Sequence, residues 1–384
     1  GGAQPLLQLA KLDLPDEAQP LLAALRQQLQ ARQKAASGAP ALDLARIDCR
    51  LAAAQDRHAG EVKQVLACGD RLPPEPWRLA LALGQIDHAP KGLAAKESAF
   101  AGYLSHPSPA VQAAALQAVA AVKDAPAQAA VRALLDSKDL VVASYAAAAA
   151  AALGDAEAVP KIARLAAAVK EHPDLSEGIA SALVELKAPQ AREILTGWLS
   201  MPHAHLRHVA VQFLQKLGGP VPVPAAVAGE DAPFTPAPLN AMLVLRTARG
   251  RISVLLDSLH NPRTSANIWH LAKKGFFNGL TFHRVEPNFV VQGGDPRGDG
   301  DGGPGYTIRC EVTDRRYLRG TIGMALSGQD TGGSQFFFTT SEQPHLEGRY
   351  TAFGEVAEGM EVVDALMEGE VITQVEATES VELI

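Results

Sequence analysis

A chain of 384 residues, 47% hydrophobic and 20% charged, is too long for one ordinary core and reads as soluble globular protein in two or more domains. Its net charge of −7 excludes a nucleic-acid surface built on clustered Lys and Arg. Neither part supplies one: 13 Lys and Arg stand against 19 Asp and Glu from Leu239 onward, leaving 22 against 23 before it. No run reaches the ~18 consecutive apolar residues of a membrane span.

Residues 1–217 are rich in Ala, Leu and Gln, which predicts helix. Helices are expected to begin near Leu44, Trp77, Val111, Val141, Leu175 and Leu206, at intervals of 33, 34, 30, 34 and 31 residues. Most follow a Pro, Asp or His turn, such as Pro74-Glu75-Pro76 or His172-Pro173-Asp174. A second helix is expected in several units: Ala127 to Leu135, Ala158 to Val169 and Ala191 to Leu199. Ala146 to Ala152 is an unbroken alanine run, which lets helices approach closely. A helix pair recurring about every 30 residues predicts an α-solenoid, with an irregular helical bundle as the alternative. The pattern resembles HEAT-like repeats, although no single residue type recurs. Such an array would offer protein clients or a partner a long concave surface and has no chemistry of its own.

Cys49, Cys68 and Cys310 form no CxxC pair and no Cys/His metal spacing. They read as three separate thiols, with a Cys49–Cys68 disulfide left open for a chain outside the cytoplasm. His203, His205 and His208 cluster at a helix start without a nearby acid or thiol, which favours a solvated helix end over a metal site. The opening Gly1-Gly2, in place of Met, suggests a trimmed N-terminus. The compartment therefore stays open between cytoplasm and periplasm.

Six prolines between Gly218 and Pro238 predict a stiff spacer, so the expected domains are 1–217, the linker 218–238, and 239–384. Beyond it the periodicity turns to alternation. Met242 to Arg246 and Ile252 to Leu256 read as strands joined through Ala248-Arg249-Gly250. Thr264 is placed to cap a helix carrying Ile268, Leu271 and Ala272 on one face. Val362, Val363, Leu366 and Met367 mark one more short helix. Many short strands with two helices predict a closed antiparallel barrel.

Two motifs stand out in this part: Phe282-His283-Arg284-Val285 running to Phe289-Val290-Val291-Gln292-Gly293-Gly294-Asp295, and Gly333-Ser334-Gln335-Phe336-Phe337-Phe338. Together they resemble the cyclophilin family of peptidyl-prolyl cis-trans isomerases over about residues 240–384. The resemblance implies an eight-stranded barrel and catalysis of rotation about X-Pro bonds in protein clients. Uncatalysed, that rotation faces a barrier of ~18–20 kcal/mol, because the prolyl nitrogen shares its lone pair with the carbonyl. No bond breaks, so no metal or cofactor is expected. A catalyst needs an apolar seat for the prolyl ring, a hold on the flanking backbone, and a cation that localises the lone pair in the twisted state.

The resemblance assigns that cation to Arg284, whose guanidinium stays charged and presents a rigid fork of donors. It places Phe289, Val290, Phe337 and Leu346 at the proline pocket, and Gln292 and Gln335 as amides holding substrate backbone. Ala325 stands where the backbone pairs with the peptide. Val290 replaces a familiar methionine, Leu326 an asparagine and His345 a tryptophan. Tyr350 replaces a histidine, as in bacterial members. The missing indole donor at His345 implies weak cyclosporin binding. Leu326 and His345 are the support for an alternative, a non-catalytic proline-peptide scaffold; a holding chaperone is a third reading. The loop Gly293 to Gly305 lacks the strand-to-helix setting and lysine of a phosphate cradle, and the terminal acid of a calcium loop, so it reads as structural.

Overall fold

The computed structural model describes residues 15–35, 39–59, 61–71, 76–86, 98, 100–224 and 234–380. The turn at Pro74-Glu75, the Gly1-Gly2 start and the middle of the Pro-rich segment lie outside them. The chain divides into two compact units, 2–229 and 230–384.

The first unit is helical: α1 (Gln19–Ala35), α2 (Ala39–Ala59), α3 (Lys63–Arg71), α4 (Pro76–Leu83), α5 (Ala101–Leu104), α6 (Pro109–Val122), α7 (Gln128–Leu134), α8 (Leu140–Ala152), α9 (Val159–Leu165), α10 (Ser176–Glu185), α11 (Ala191–Trp198) and α12 (Ala204–Lys216). The helix expected near Leu44 starts earlier, at Ala39. Helices α4, α6, α8, α10 and α12 pack in series, and α7, α9 and α11 each lie against the helix that follows. One apolar core runs through them, from Ala53 to Leu214. The alanine run makes this close stacking achievable: Ala146, Ala147, Ala149 and Ala150 are fully buried.

What recurs is a backbone conformation more than a residue type. Lys123, Gly154, Lys187 and Gly218 all take left-handed φ (55°, 68°, 52° and 73°) just beyond α6, α8, α10 and α12. The N–H of the residue after the first three reaches back into the helix: Asp124 to Val119 O, Asp155 to Ala150 O, Ala188 to Leu183 O. Asp124 and Asp155 then lie buried at the start of the next short element, held by Ser98 Oγ and by the Arg132 guanidinium respectively. Sequence periodicity located these helices but not this device, because Lys and Gly share the cap.

Two expectations are corrected in this unit. Cys49 on α2 and Cys68 on α3 form a disulfide with Cα atoms 5.5 Å apart, so only Cys310 is a thiol. His205 is buried in the face of α12, while His208 is exposed against Gln212, so the cluster is not a uniformly solvated helix end.

The Pro-rich segment is docked at both described ends. Arg192 binds the carbonyls of Gly218 and Pro220, and Val221 packs on the helical core. Ala237 enters the core of the second unit, Thr235 O meets His270 Nε2 at 2.9 Å, and Phe234 lies under the Arg263 guanidinium. Its ends thus belong to the flanking units, not to a spacer of 21 residues (218–238).

The second unit holds β1 (Ala241–Thr247), β2 (Gly250–Leu256), α13 (Pro262–Lys273), β3 (Thr281–Phe282), β4 (Arg284–Val285), β5 (Val290–Gly293), β6 (Thr321–Met324), β7 (Phe336–Thr339), β8 (Ala352–Glu358), α14 (Met360–Ala365) and β9 (Glu370–Glu379). The sheet order is β3-β9-β1-β2-β8-β6-β7-β5-β4, with every pair antiparallel. Its two ends, β3 and β4, are neighbouring parts of one segment bent at His283. The sheet therefore comes round on itself as an antiparallel barrel, of eight strands when that segment counts once. Phe282, Ile322, Met324, Phe336, Phe338 and Phe353 fill it, joined by Ile268, Trp269 and Leu271 of α13. Thr264 does not cap α13; the helix starts at Pro262, and Glu311 receives the N–H groups of Arg263 and Thr264 at 3.0 and 2.8 Å.

Closing a loop of this size stabilises a fold by ~3 kcal/mol. Changing Cys49 and Cys68 together to Ser is expected to lower the melting temperature of the helical unit and leave the barrel's transition in place. Differential scanning calorimetry of the full chain checks this; an unchanged helical transition would contradict it.

Candidate active site

Strand alternation sends neighbouring residues to opposite faces. On β7, Phe336 and Phe338 point into the barrel core and Phe337 points outward. On β5, Val291 goes in, while Val290 joins Phe337 outside. On β6, Ile322 and Met324 go in, which turns Gly323 out. The register then pairs Arg284 with Gln292, Gln292 with Phe337, and Phe337 with Gly323. These four residues form one row across β4, β5, β7 and β6, with a cation at one end, a glycine at the other and the aromatic ring of Phe337 beside the glycine.

An apolar cluster separate from the barrel core surrounds the ring. Val290, Tyr317, Phe337, Leu346 and Ala352 are buried in it, and Phe289, Ala325 and Tyr350 pack at its edge. Tyr317 stacks on Phe337 with centroids 5.8 Å apart, and Tyr350 meets the same ring edge-on at 6.1 Å. Gly323 is a glycine for a steric reason. A Cβ there would stand 2.4 Å from Phe337 Cζ and 2.6 Å from the Tyr317 hydroxyl. Phe289 reaches the site from the turn between β4 and β5, where Asn288 adopts φ 54°, a conformation asparagine tolerates. Ser341 and Gln343 side chains hold the Asn288 carbonyl at 2.7 and 2.8 Å, and Thr340 N–H holds that of Phe289 at 2.9 Å. The exposed His345 ring lies 5.4 Å from the Phe289 ring.

A chain of hydrogen bonds fixes the polar side. Gln335 Nε2 donates to Gly300 O and Gly302 O at 2.7 and 2.8 Å. Its Oε1 accepts from Gln292 Nε2 at 2.9 Å, and Gln292 Oε1 accepts from Arg284 Nη1 at 3.3 Å. Arg284 is 46% exposed, with Glu286 Oε1 at 3.7 Å from Nε and its guanidinium carbon 5.6 Å from the Phe289 ring centroid. The structure thus gathers Arg284, Phe289, Val290, Gln292, Ala325, Gln335, Phe337, His345, Leu346 and Tyr350 on one outer face. Leu326 is the exception: its side chain packs with Ile308 on the barrel core, apart from the pocket cluster. Ala325 N–H is already engaged by Gln335 O at 3.0 Å. Tyr317 and Ala352 were missed, since neither stands in a motif and a lone aromatic or alanine carries no spacing signal. Among the described residues no group of three or more His, Cys, Asp or Glu could hold a metal, and no helix is long and apolar enough to cross a membrane.

Burial raises the Tyr317 phenol far above its ordinary range, and its hydroxyl finds no partner among the described residues. Burial likewise raises the Cys310 thiol, which keeps it protonated. His283, at the bend between β3 and β4, has both ring nitrogens shielded and without a hydrogen-bond partner. Burial lowers its pKa below the ordinary 6.5, against the pull of Asp295 and Asp299. The unfolded chain therefore takes up a proton on His283 below about pH 6.5 that the folded chain refuses, and stability falls as pH falls through that value. Urea midpoints between pH 7 and 5 are expected to drop less steeply in His283→Gln than in the unchanged chain. Equal slopes would contradict the assignment.

Residues 242–384 match the family model "Cyclophilin type peptidyl-prolyl cis-trans isomerase/CLD". A peptidyl-prolyl cis-trans isomerase of Helicobacter pylori is 46% identical over 140 residues, covering 35% of this chain and 86% of the relative. One from Synechococcus elongatus is 47% identical over 134 residues, covering 34% and 92%. Peptidyl-prolyl cis-trans isomerase B of Bacillus subtilis is 51% identical over 116 residues, covering 30% and 81%.

Proposed function

Since the chain belongs, through residues 242–384, to the cyclophilin type peptidyl-prolyl cis-trans isomerases and is an enzyme of that class, we propose that the row Arg284–Gln292–Phe337 and the pocket beside it are its active site. The carrying observation is that one register places a fixed cation and an apolar, aromatic-floored pocket on the same face. The prolyl ring sits against Phe337, Val290, Leu346 and Phe289, with Tyr350 at the edge. Gln292 and Gln335 hold flanking backbone, and the peptide pairs with Ala325 through its carbonyl, because its N–H is occupied. In this pose Arg284 faces the prolyl nitrogen. As the amide twists, the nitrogen lone pair localises, and a guanidinium donor there is favourable only in the twisted state. Each ~1.4 kcal/mol gained in that state speeds rotation tenfold.

Arg284→Ala is expected to lower kcat/KM for a short X-Pro peptide on the order of 10²-fold, the usual effect of removing one transition-state donor. Arg284→Lys retains the charge but not the fork and should fall between the two. Full activity in Arg284→Ala would remove the arginine from the mechanism.

His345 lies over Phe289 where the family's familiar members carry an indole, so weak inhibition by cyclosporin is expected. Inhibition at nanomolar concentration would contradict this. The helical unit we read as a HEAT-like solenoid that brings protein clients to the barrel. Its support is the left-handed cap that recurs after α6, α8, α10 and α12 and the serial packing of those helices. A chain lacking residues 1–217 should keep full activity on a short peptide and lose rate on a refolding protein. An unchanged refolding rate would give the helices another partner.

A further inference from the structure

The acid of the Gln292-Gly293-Gly294-Asp295 run has no part in the active site proposed above. Asp295 is 1% exposed. Its Oδ1 accepts the Arg297 N–H at 2.7 Å, and its Oδ2 accepts those of Asp299 and Gly300 at 2.9 and 2.6 Å. The carboxylate therefore gathers the glycine-rich loop around itself. The loop also closes on it from the far side. A Cβ on Gly302 would stand 1.9 Å from Asp295 Oδ1, so only glycine brings that backbone so near. Asp299, at the loop's turn, is tied in addition to the Arg297 guanidinium at 2.9 Å.

The two carbonyls that this folding turns inward are those of Gly300 and Gly302, and both accept from Gln335 Nε2. Two acceptors consume both hydrogens of that amide. A flipped Gln335 would set its oxygen against two carbonyl oxygens, so the amide has one orientation. Its Oε1 then faces Gln292 Nε2, which leaves Gln292 Oε1 to accept from Arg284. Each donor direction follows from the one before. We propose that Asp295 is a positioning residue for the reaction: through the Gly300 and Gly302 carbonyls and the Gln335–Gln292 amide pair it sets the direction of the Arg284 guanidinium. The proposal rests on Arg284 being the catalytic cation.

Asp295→Asn tests it, because an amide in place of the carboxylate turns an N–H donor toward at least one loop N–H. Misplacing a catalytic group by about 1 Å costs on the order of 10²-fold in rate, and a partial shift less. In the full chain, Asp295→Asn and Gln335→Met are each expected to lower kcat/KM for an X-Pro peptide by roughly tenfold. The double variant should be no more than about twofold worse than the poorer single, since both break one path. Combined with Leu346→Ala, which lies in the pocket and outside the path, the Asp295→Asn loss should instead multiply. If Asp295→Asn does not fold by circular dichroism, Gly302→Ala disturbs the loop from its other side and enters the same cycle. Multiplying losses with Gln335→Met, or full activity in Asp295→Asn, would overturn the proposal. An inactive Arg284→Ala beside such a result would leave the active site standing and remove only the role of Asp295.

Discussion

Strand register on the outer face of β5, β7 and β6 is the constraint on which the site depends. A shift of one residue in β7 would bury Phe337 and turn Phe336 and Phe338 outward, exchanging the pocket floor for the barrel core. The packed interior forbids it: Phe282, Phe336 and Phe338 contact one another inside with centroids 5.5 to 6.5 Å apart. The core thus acts on the site at one remove. It fixes which residues face in, and the pairing fixes what stands beside Phe337: Gln292 on one strand and Gly323 on the other.

On that fixed row two kinds of order meet. The apolar part is held by packing, with Tyr317 behind Phe337 and a glycine where any side chain would push the ring. The polar part is held by direction: donor, acceptor and donor again, from loop carbonyls to Gln335, Gln292 and Arg284. Polar groups linked in one hydrogen-bonded chain resist rearrangement more than the same number of isolated pairs. The Tyr317 hydroxyl, which finds no partner among the described residues, is one exception, and burying it costs ~1–3 kcal/mol. The stacked ring that it carries gives the pocket floor its support.

Much of this was legible in sequence where spacing carried it. The resemblance carried by the two motifs named Arg284, Phe289, Val290, Gln292, Ala325, Gln335, Phe337, His345, Leu346 and Tyr350, and these lie together on one outer face of the barrel. Helix periods found α6, α8, α10 and α12 to within a few residues. What stayed hidden has physical reasons. Leu326 neighbours Ala325, and alternation sends it to the other face, so a match by position did not give its contacts. Tyr317 and Ala352 reach the cluster from distant segments. The Cys49–Cys68 bridge depends on how α2 and α3 turn about one another, which no spacing of two cysteines discloses. The repeating cap escaped because Lys and Gly both serve a left-handed position, one by strain and one without it.

Exchange spectroscopy on an X-Pro peptide with the unmodified chain present at substoichiometric concentration separates turnover from mere binding. The account predicts cis–trans exchange cross-peaks whose intensity grows with added protein on a sub-second timescale, far faster than the uncatalysed tens of seconds. Shifted or broadened peptide signals without exchange cross-peaks would contradict it, showing a pocket that holds proline and does not turn it.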